Sequence, residues 1–367
     1  MVAGDVRFHT AGAGLRKMAG NGEAAARRDI GWWLLILAAM VFVMVDLGGW
    51  TRLTGSGLSM TRWQPATVVP PLDRQAWQDM FDAYRTSPQF RLVNHDMTLE
   101  QFKGIFWLEF VHRLWGRLIG VAFLAPFLWF LARRRIGRAE APRIFVIFLL
   151  GAAEGVLGWL MVKSGLIDEP HVSHLRLTAH LTTGMLIYGA ALWMALGYLM
   201  PPAALPDPEG ARRLRRRLSG VLILVCLAIP AGGLVAGLHA GMMYNTFPLM
   251  GDSVLPDEAF TLASGWRNVI DNPVLVQFDH RVLAILTWLA SVLVWGWSWR
   301  LDLPHAQRGR VALVPMAATV QAGLGIATLL TFVPVPLAVA HQAGAFVLVG
   351  IVIWAIRGLR AAPAPGS

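Results

Sequence analysis

The chain has 367 residues, of which 56% are hydrophobic and only 15% are charged, and it contains a single cysteine, Cys226. A soluble domain of this length carries far more charge and has its apolar residues in short periodic runs, so the composition excludes a soluble globular protein. One cysteine excludes an intramolecular disulfide and a cysteine metal site. The formal net charge of +10 is better explained by basic loops beside anionic lipid than by nucleic-acid binding, which we do not expect.

Eight apolar segments are long enough to cross a membrane, which takes about 20 helical residues. The sequence therefore predicts an all-α, polytopic membrane protein with eight transmembrane helices. Residues 1–29 lack an apolar core followed by small residues, which argues against a cleavable signal peptide. The segments lie near residues 30–50, 105–132, 144–163, 177–200, 218–238, 274–299, 311–333 and 337–356.

Arginine-rich blocks follow the even-numbered segments, near residues 133–143, 212–217 and 300–310. Together with the two ends of the chain, this side holds most of the basic residues and few of the acidic ones. By the positive-inside rule both termini are expected to be cytoplasmic. The predicted division is a cytoplasmic N-terminal tail (1–29), a first four-helix half (30–200), a basic linker (201–217), a second four-helix half (218–357) and a C-terminal tail (358–367).

Two sizeable loops, near residues 51–104 and 239–273, are expected on the other side. In the first loop, Trp77, Phe81 and Tyr84 share one helical stripe over residues 74–84, as in an amphipathic helix lying at the membrane interface. Thr98 and Gln101 have capping-box spacing, which predicts a helix start just before the second span.

An internal repeat divides the chain into two halves. GluPheValHisArg (109–113) returns as GlnPheAspHisArg (277–281), and GluGlyValLeuGly (154–158) returns as GlnAlaGlyLeuGly (321–325). GlyGly pairs at 48–49 and 232–233 are expected to end the first and fifth spans in the same way. The sequence thus predicts two pseudo-symmetric four-helix bundles, of which the first carries the longer loop.

Four histidines lie within the spans: His112, His180, His280 and His341, on the second, fourth, sixth and eighth helices. A single membrane histidine is as often a hydrogen-bonded packing residue as a functional one. Four of them, in two pairs at about the same depth, point instead to heme held by two histidines between the helices of a bundle. His171 and His174 share helical spacing in a loop but have no companion that would complete a metal site.

Glu109 precedes His112 by three residues and so shares its helical face, whereas the corresponding residue of the second half is the uncharged Gln277. A carboxylate beside one heme and an amide beside the other suggest proton-coupled chemistry in the first half and cofactor binding or electron transfer in the second. A helix cap at the interface is the alternative for Glu109. Arg113 and Arg281 are candidates either for heme propionate binding or for interfacial anchoring.

At these residues the chain resembles the heme A synthase family, in the bacterial and mitochondrial type without loop cysteines. The resemblance spans roughly residues 40–356, and each motif gains its specificity from its order and its place on the helices. Its motifs are residues 48–60, Trp63, and residues 70–72, 105–117, 164–166, 172–181, 235–241, 244–250 and 278–281.

The resemblance implies an oxidoreductase that hydroxylates a methyl group of heme o twice, yielding the formyl group of heme a for cytochrome oxidase assembly. It also implies that His280 and His341 ligate a resident heme b, that His112 and His180 flank the substrate heme o, and that Glu109 is the catalytic carboxylate. Glu154 departs from the family pattern, where glutamine is expected, as at its repeat partner Gln321.

Two other classes compete with this interpretation. A membrane electron carrier with b-type hemes between paired histidines needs no carboxylate at Glu109. A transporter built from repeats would place polar residues near the midplane. Asp46 is the deepest carboxylate, and the other candidate residues lie toward the outer face. The family connection implies a heme o synthase as heme donor. We expect a bacterial inner-membrane protein, rather than a mitochondrial one, with heme sites near the periplasmic face. The electron donor and a possible homo-oligomer are left open.

Overall fold

The computed structural model describes residues 6–61, 69–166 and 172–362, with side chains from residue 24 onward. Trp63 and His171, named above, lie outside the described residues. Almost all of the described chain is helical. In chain order the α-helices are α1 (Val6–Leu53), α2 (Arg74–Arg85), α3 (Pro88–Leu92), α4 (Leu99–Ala132), α5 (Ala141–Ser164), α6 (His174–Leu199), α7 (Pro208–Gly237), α8 (Asn268–Asp271), α9 (Pro273–Ser298), α10 (His305–Leu330) and α11 (Val335–Gly358).

Among the described residues, eight helices are long and apolar enough to cross a membrane, as predicted: Ala24–Leu53 of α1, and the whole of α4, α5, α6, α7, α9, α10 and α11. Two boundaries differ from the expectation. Helix α1 extends back to Val6, into the segment expected to be a tail. Helix α7 begins at Pro208, so most of the basic segment expected to be a linker forms its first turns. The repeat symmetry and the cytoplasmic location of the termini stay predictions.

Side-chain caps fix where two of the histidine-bearing helices, α4 and α9, begin. Thr98 and Gln101 form the predicted capping box at the start of α4, with the Thr98 backbone N–H donating to Gln101 Oε1 over 2.8 Å. Asn272 caps α9 by accepting from the backbone N–H groups of Val274 and Leu275, over 2.9 and 3.3 Å. These contacts satisfy N–H groups that the first turn of a helix leaves without a partner.

The first and last spans of each half, α1, α6, α7 and α11, form the centre of the bundle. Helices α4 and α5 pack outside α1 and α6, and α9 and α10 pack outside α7 and α11. The centre is filled by side chains such as Leu34, Ala191, Leu218, Phe346 and Val352, which are almost completely buried. Because lipid is as apolar as these side chains, close packing rather than exclusion of water holds the helices together.

The two GlyGly pairs lie inside their helices, so the expectation that they end the spans is wrong. Helix α1 continues to Leu53 and α7 continues to Gly237. The second glycine of each pair faces the opposite half of the chain: a β-carbon on Gly49 would lie 2.8 Å from Nε2 of Gln342, and one on Gly233 would lie 3.1 Å from Oγ1 of Thr178. Glycine is needed here because the two halves approach each other closely.

Helix α2 confirms the helix predicted over residues 74–84, but its apolar stripe packs on protein. Tyr84 is completely buried. The ring centre of Phe102 on α4 lies 5.1 Å from that of Tyr84 and 5.3 Å from that of Phe81. Trp77 meets Phe106 edge to face. This cluster fixes the first loop against the start of α4, the helix that carries Glu109 and His112.

Candidate metal centres between the helices

His280 of α9 and His341 of α11 face each other across a gap of defined size. Their ring centres are 6.3 Å apart and their planes make an angle of 85°. A metal–nitrogen bond of about 2.0–2.1 Å and a ring radius of about 1.1 Å put two imidazoles on opposite sides of one metal ion about 6.3 Å apart. The separation of the two rings therefore matches that of two imidazoles that would hold one iron between them.

The Nδ1 atoms of these two rings have partners that orient them. Nδ1 of His280 lies 3.0 Å from the carbonyl oxygen of Ala228 on α7, so this nitrogen carries the proton and donates it. That tautomer leaves the lone pair of Nε2 available to a metal. Nδ1 of His341 lies 3.1 Å from Nε2 of Gln321 on α10, which also donates to the backbone oxygen of His341 over 2.8 Å.

Each of the four membrane histidines lies against a glycine of a neighbouring helix. A β-carbon on Gly48, Gly158, Gly232 or Gly325 would stand 3.2, 3.2, 2.9 or 2.7 Å from Cε1 of His112, His180, His280 or His341 respectively. A real side chain at these positions would push the imidazole away from its place. The same contact thus recurs at all four histidines, with α1 and α5 serving the first half and α7 and α10 the second.

In the first half, His112 lies on α4 and His180 lies on α6. Nδ1 of His180 lies 3.0 Å from Oε1 of Glu154 on α5. Nδ1 of His112 is buried and makes no hydrogen bond within the described part of the chain. His112 therefore differs from His280, whose Nδ1 is held by a backbone carbonyl oxygen.

Glu109 is held in one position by three donors. Its side chain is 2% exposed, and its Oε2 accepts from the hydroxyl of Ser59 over 2.6 Å and from the backbone N–H of Met60 over 2.8 Å. Arg113, one turn further along α4, donates to Oε1 of Glu109 and also to the backbone oxygen of Met60 over 3.1 Å. The carboxylate of Glu109 therefore joins α4 to the first loop. The alternative role, a helix cap, does not apply to Glu109, because Thr98 caps α4.

The second half has a corresponding arrangement with a neutral amide. Gln277 donates to the backbone oxygen of Tyr244 over 3.1 Å. The guanidinium of Arg281 donates to the oxygens of Tyr244, Thr246 and Leu249 over 2.7, 2.9 and 3.1 Å. Both arginines thus bind loop carbonyls in this structure, and their expected contact with heme propionates stays a prediction.

Sequence reasoning missed several of these contacts, although its repeats contained the signal. In residues 154–158 and 321–325, the first residue contacts Nδ1 of a histidine and the last is the glycine against that same ring. Positions four apart share one helical face, which explains the spacing. Ser59 and the Ala228 carbonyl gave no such signal, because a hydroxyl in a loop and a backbone oxygen carry no recognisable pattern.

His174, treated above as a loop residue, begins α6. Its Nε2 lies 2.9 Å from Oδ1 of Asp271, whose Oδ2 accepts from Nε of Arg267 over 2.7 Å. Within the described ranges no three His, Cys, Asp or Glu side chains converge on a common metal position. The imidazole pairs are therefore the arrangement through which the described residues offer ligands to a metal.

Comparison with known proteins finds relatives over most of the chain. The family model described as cytochrome oxidase assembly protein matches residues 31–353. The chain is 47% identical over 344 residues to the heme A synthase of Rhodospirillum centenum, covering 94% of this chain and 91% of that protein. It is 46% identical to the heme A synthase of Nitrosospira multiformis, with 92% and 95% covered. It is 42% identical to the human heme A synthase COX15, with 92% and 84% covered.

Proposed function

The chain belongs to the cytochrome oxidase assembly family that contains the heme A synthases, and from that premise we propose how its two halves divide the reaction. Its activity is that of an oxidoreductase converting heme o to heme a, in the membrane. The observation that carries our assignment of the halves is the 6.3 Å separation of the His280 and His341 rings.

The second half is proposed to hold a resident heme b with His280 and His341 as axial ligands. The hydrogen bond from His280 Nδ1 to Ala228 presents Nε2 to the metal, and Gly232 and Gly325 leave room for both rings. When bound, such a heme supplies one-electron chemistry. Gln277 and Arg281 attach the second loop to this half by donating hydrogen bonds to its backbone carbonyl oxygens.

The first half is proposed to bind heme o as substrate between His112 and His180. The matching glycine contacts, of Gly48 with His112 and of Gly158 with His180, support this assignment. The substrate's methyl group is hydroxylated twice on the way to the formyl group of heme a, and these steps move protons at the site. A carboxylate close to the site can receive or pass on protons.

Glu109 is proposed to be that carboxylate. It precedes His112 by one turn on α4, and its donors Ser59, Met60 and Arg113 hold it in a single orientation. Preorganised hydrogen bonds of this kind keep a catalytic group in place before the substrate arrives. The corresponding Gln277 accepts no proton at this position, which is consistent with a different job for the second half.

We further propose that the heme sites lie near the periplasmic face of a bacterial inner membrane, with both termini cytoplasmic. The basic blocks between spans support this orientation. A heme o synthase is the proposed donor of the substrate. An electron donor is needed as well, since a hydroxylation that puts one atom of O2 into the methyl group takes two electrons to reduce the other atom to water.

Pigment analysis tests the proposed function directly. The chain is expressed in a bacterial host that makes heme o but no heme a, and extracted hemes are separated by chromatography. We expect heme a in cells with the natural chain and only heme o in cells with Glu109→Ala. If the natural chain binds heme but leaves heme o unmodified, the result supports the electron carrier instead. If cells with Glu109→Ala make normal amounts of heme a, Glu109 is not the catalytic carboxylate.

A further inference from the structure

The membrane histidines differ in what their Nδ1 atoms face, and Glu154 stands out among those partners. His280 faces a backbone carbonyl oxygen and His341 faces the amide of Gln321. His180 faces a carboxylate, with 3.0 Å between its Nδ1 and Oε1 of Glu154. Glu154 and Gln321 occupy the same place in the sequence repeat, so the two halves differ at this point by one ionisable group.

The position of Glu154 is set by packing on both sides. It lies on α5 one turn before Gly158, the glycine against the His180 ring. Its Oε1 also lies over Gly184, one turn after His180 on α6, where a β-carbon would be 3.4 Å away. Its Oε2 is buried and makes no hydrogen bond among the described residues. The Glu154 side chain is about four-fifths covered, with 20% of it exposed, and the His180 ring is the polar group it faces.

The chemistry of the two side chains differs in one respect. A carboxylate oxygen can only accept a hydrogen bond, so Glu154 selects the tautomer of His180 that carries its proton on Nδ1. That tautomer directs the Nε2 lone pair toward a metal. Gln321 faces Nδ1 of His341 with the amide nitrogen that also donates to the His341 backbone oxygen, so it does not hold a proton on that Nδ1 as a carboxylate would. Nδ1 of His180 and Oε1 of Glu154 are 3.0 Å apart, within ion-pair distance, but the contact is not a linear hydrogen bond.

We propose that Glu154 is a positioning residue for the substrate heme, which holds His180 as a ligand through Nε2 and lowers the reduction potential of the iron that His180 binds. A carboxylate accepting the Nδ1 proton makes the imidazole a stronger electron donor, and a stronger donor stabilises the oxidised iron. This inference rests on the proposed role of His180 in the first half. It assigns no proton transfer to Glu154.

Two exchanges within the chain form a matched pair of tests. Glu154→Gln gives the first half the amide of the second, and Gln321→Glu gives the second half the carboxylate of the first. Both substitutions nearly preserve side-chain volume, so each should leave the helices packed. Glu100→Gln, which removes an exposed carboxylate beside Lys103 at the start of α4, controls for the loss of one charge elsewhere.

The measurement is a spectroelectrochemical titration of purified protein loaded with heme, with components identified as those lost in His180→Ala and in His341→Ala. We expect Glu154→Gln to shift the His180 component to higher potential and leave the other in place, and Gln321→Glu to shift the His341 component to lower potential. The iron–histidine vibration of the first component should weaken in Glu154→Gln. Glu154→Ala should lower heme affinity at that site by about 10–100-fold.

Unchanged potential and iron–histidine vibration of the His180 component in Glu154→Gln would overturn the inference, as would a full set of components in His180→Ala. A purely structural ion pair would change stability without moving either quantity. Heme a production is scored separately in the natural chain. If no heme a forms but the potential still shifts, the proposed function fails and the role of Glu154 stands. If heme a forms and the potential does not shift, the proposed function stands and the role of Glu154 fails.

Discussion

Gly232 lies so close to His280 that a β-carbon at position 232 would stand 2.9 Å from Cε1 of the imidazole. The same relation joins Gly325 to His341 at 2.7 Å. Such separations are shorter than van der Waals contact, so a methyl group there must displace the ring that each glycine supports. The two glycines thus belong to the proposed heme site of the second half although neither can bind a ligand.

The glycines give the first prediction. Gly232→Ala should move His280 away from the metal position, so the purified protein should contain substantially less heme per chain. Gly220→Ala is the matched control on the same helix, because nothing lies within 4 Å of a β-carbon there; it should keep its heme and gain up to about 1 kcal/mol of stability. Equal heme content in the two variants would contradict the contact.

Removal of either axial ligand gives the second prediction. His280→Ala and His341→Ala should each abolish the low-spin spectrum of a heme held by two histidines, because the histidine that remains supplies only one of the two ligand nitrogens. His112→Ala and His180→Ala should spare that spectrum while abolishing heme a formation. Absorption spectra of the purified variants provide the measurement, and a natural low-spin spectrum in both His280→Ala and His341→Ala would refute the ligand assignment.

Glu109 gives the third prediction, concerning the split between the two halves. Glu109→Gln keeps the side-chain size but removes the group that receives protons, so heme a formation should fall by at least about 100-fold, the usual contribution of a general acid or base. The low-spin spectrum of the second half should not change. Ser59→Ala removes one donor to the carboxylate and should cause a smaller loss. A Glu109→Gln chain with natural activity would leave Glu109 only its role in attaching the loop.

The second loop gives the fourth prediction. Arg281 donates to four loop carbonyl oxygens, and a hydrogen bond to a charged group contributes about 1.5–3 kcal/mol. Arg281→Lys keeps the charge but loses the planar fork that reaches several oxygens at once, so it should destabilise the protein nearly as much as Arg281→Ala. Thermal unfolding in detergent measures this through Tm. A lysine variant as stable as the natural chain would show that charge alone holds the loop.

Asp271 gives the fifth prediction, which concerns pH. The hydrogen bond from Arg267, with a further one from His174, holds the pKa of Asp271 below its ordinary value of 3.8. A lowered pKa in the folded state means that the contribution to stability is complete well above pH 3.8 and is lost as pH falls through the lowered value. The contribution should not exceed about 1 kcal/mol, because Arg267 is exposed to solvent.

Thermal unfolding of the natural chain and of Asp271→Asn at a series of pH values tests this contribution. Asp271→Asn should have the lower Tm at neutral pH, and the difference should shrink as the pH is taken below 3.8. Asp96→Asn is a matched control on the other loop, where the carboxylate is paired with the exposed His95. A difference between the natural chain and Asp271→Asn that is constant over the whole pH range would exclude the titration of Asp271 as its source.

The sequence by itself determined the eight spans, the histidines within them and the difference between Glu109 and Gln277. Hydropathy and repeated motifs are properties of neighbouring residues, so they can be read without knowing how the helices pack. The capping box at Thr98 was predictable for the same reason, since both of its members lie within one turn.

Only the tertiary structure decided which groups meet across helices. The place of Glu109 between Ser59 and Arg113, the second glycines turned toward the other half, and the pairing of His180 with Glu154 all depend on how each helix is rotated against partners far along the chain. Rotation is set by the packing of the whole bundle, in which small residues permit close approach. The sequence of one span does not determine how the neighbouring helices are rotated about their axes, so it does not specify these contacts.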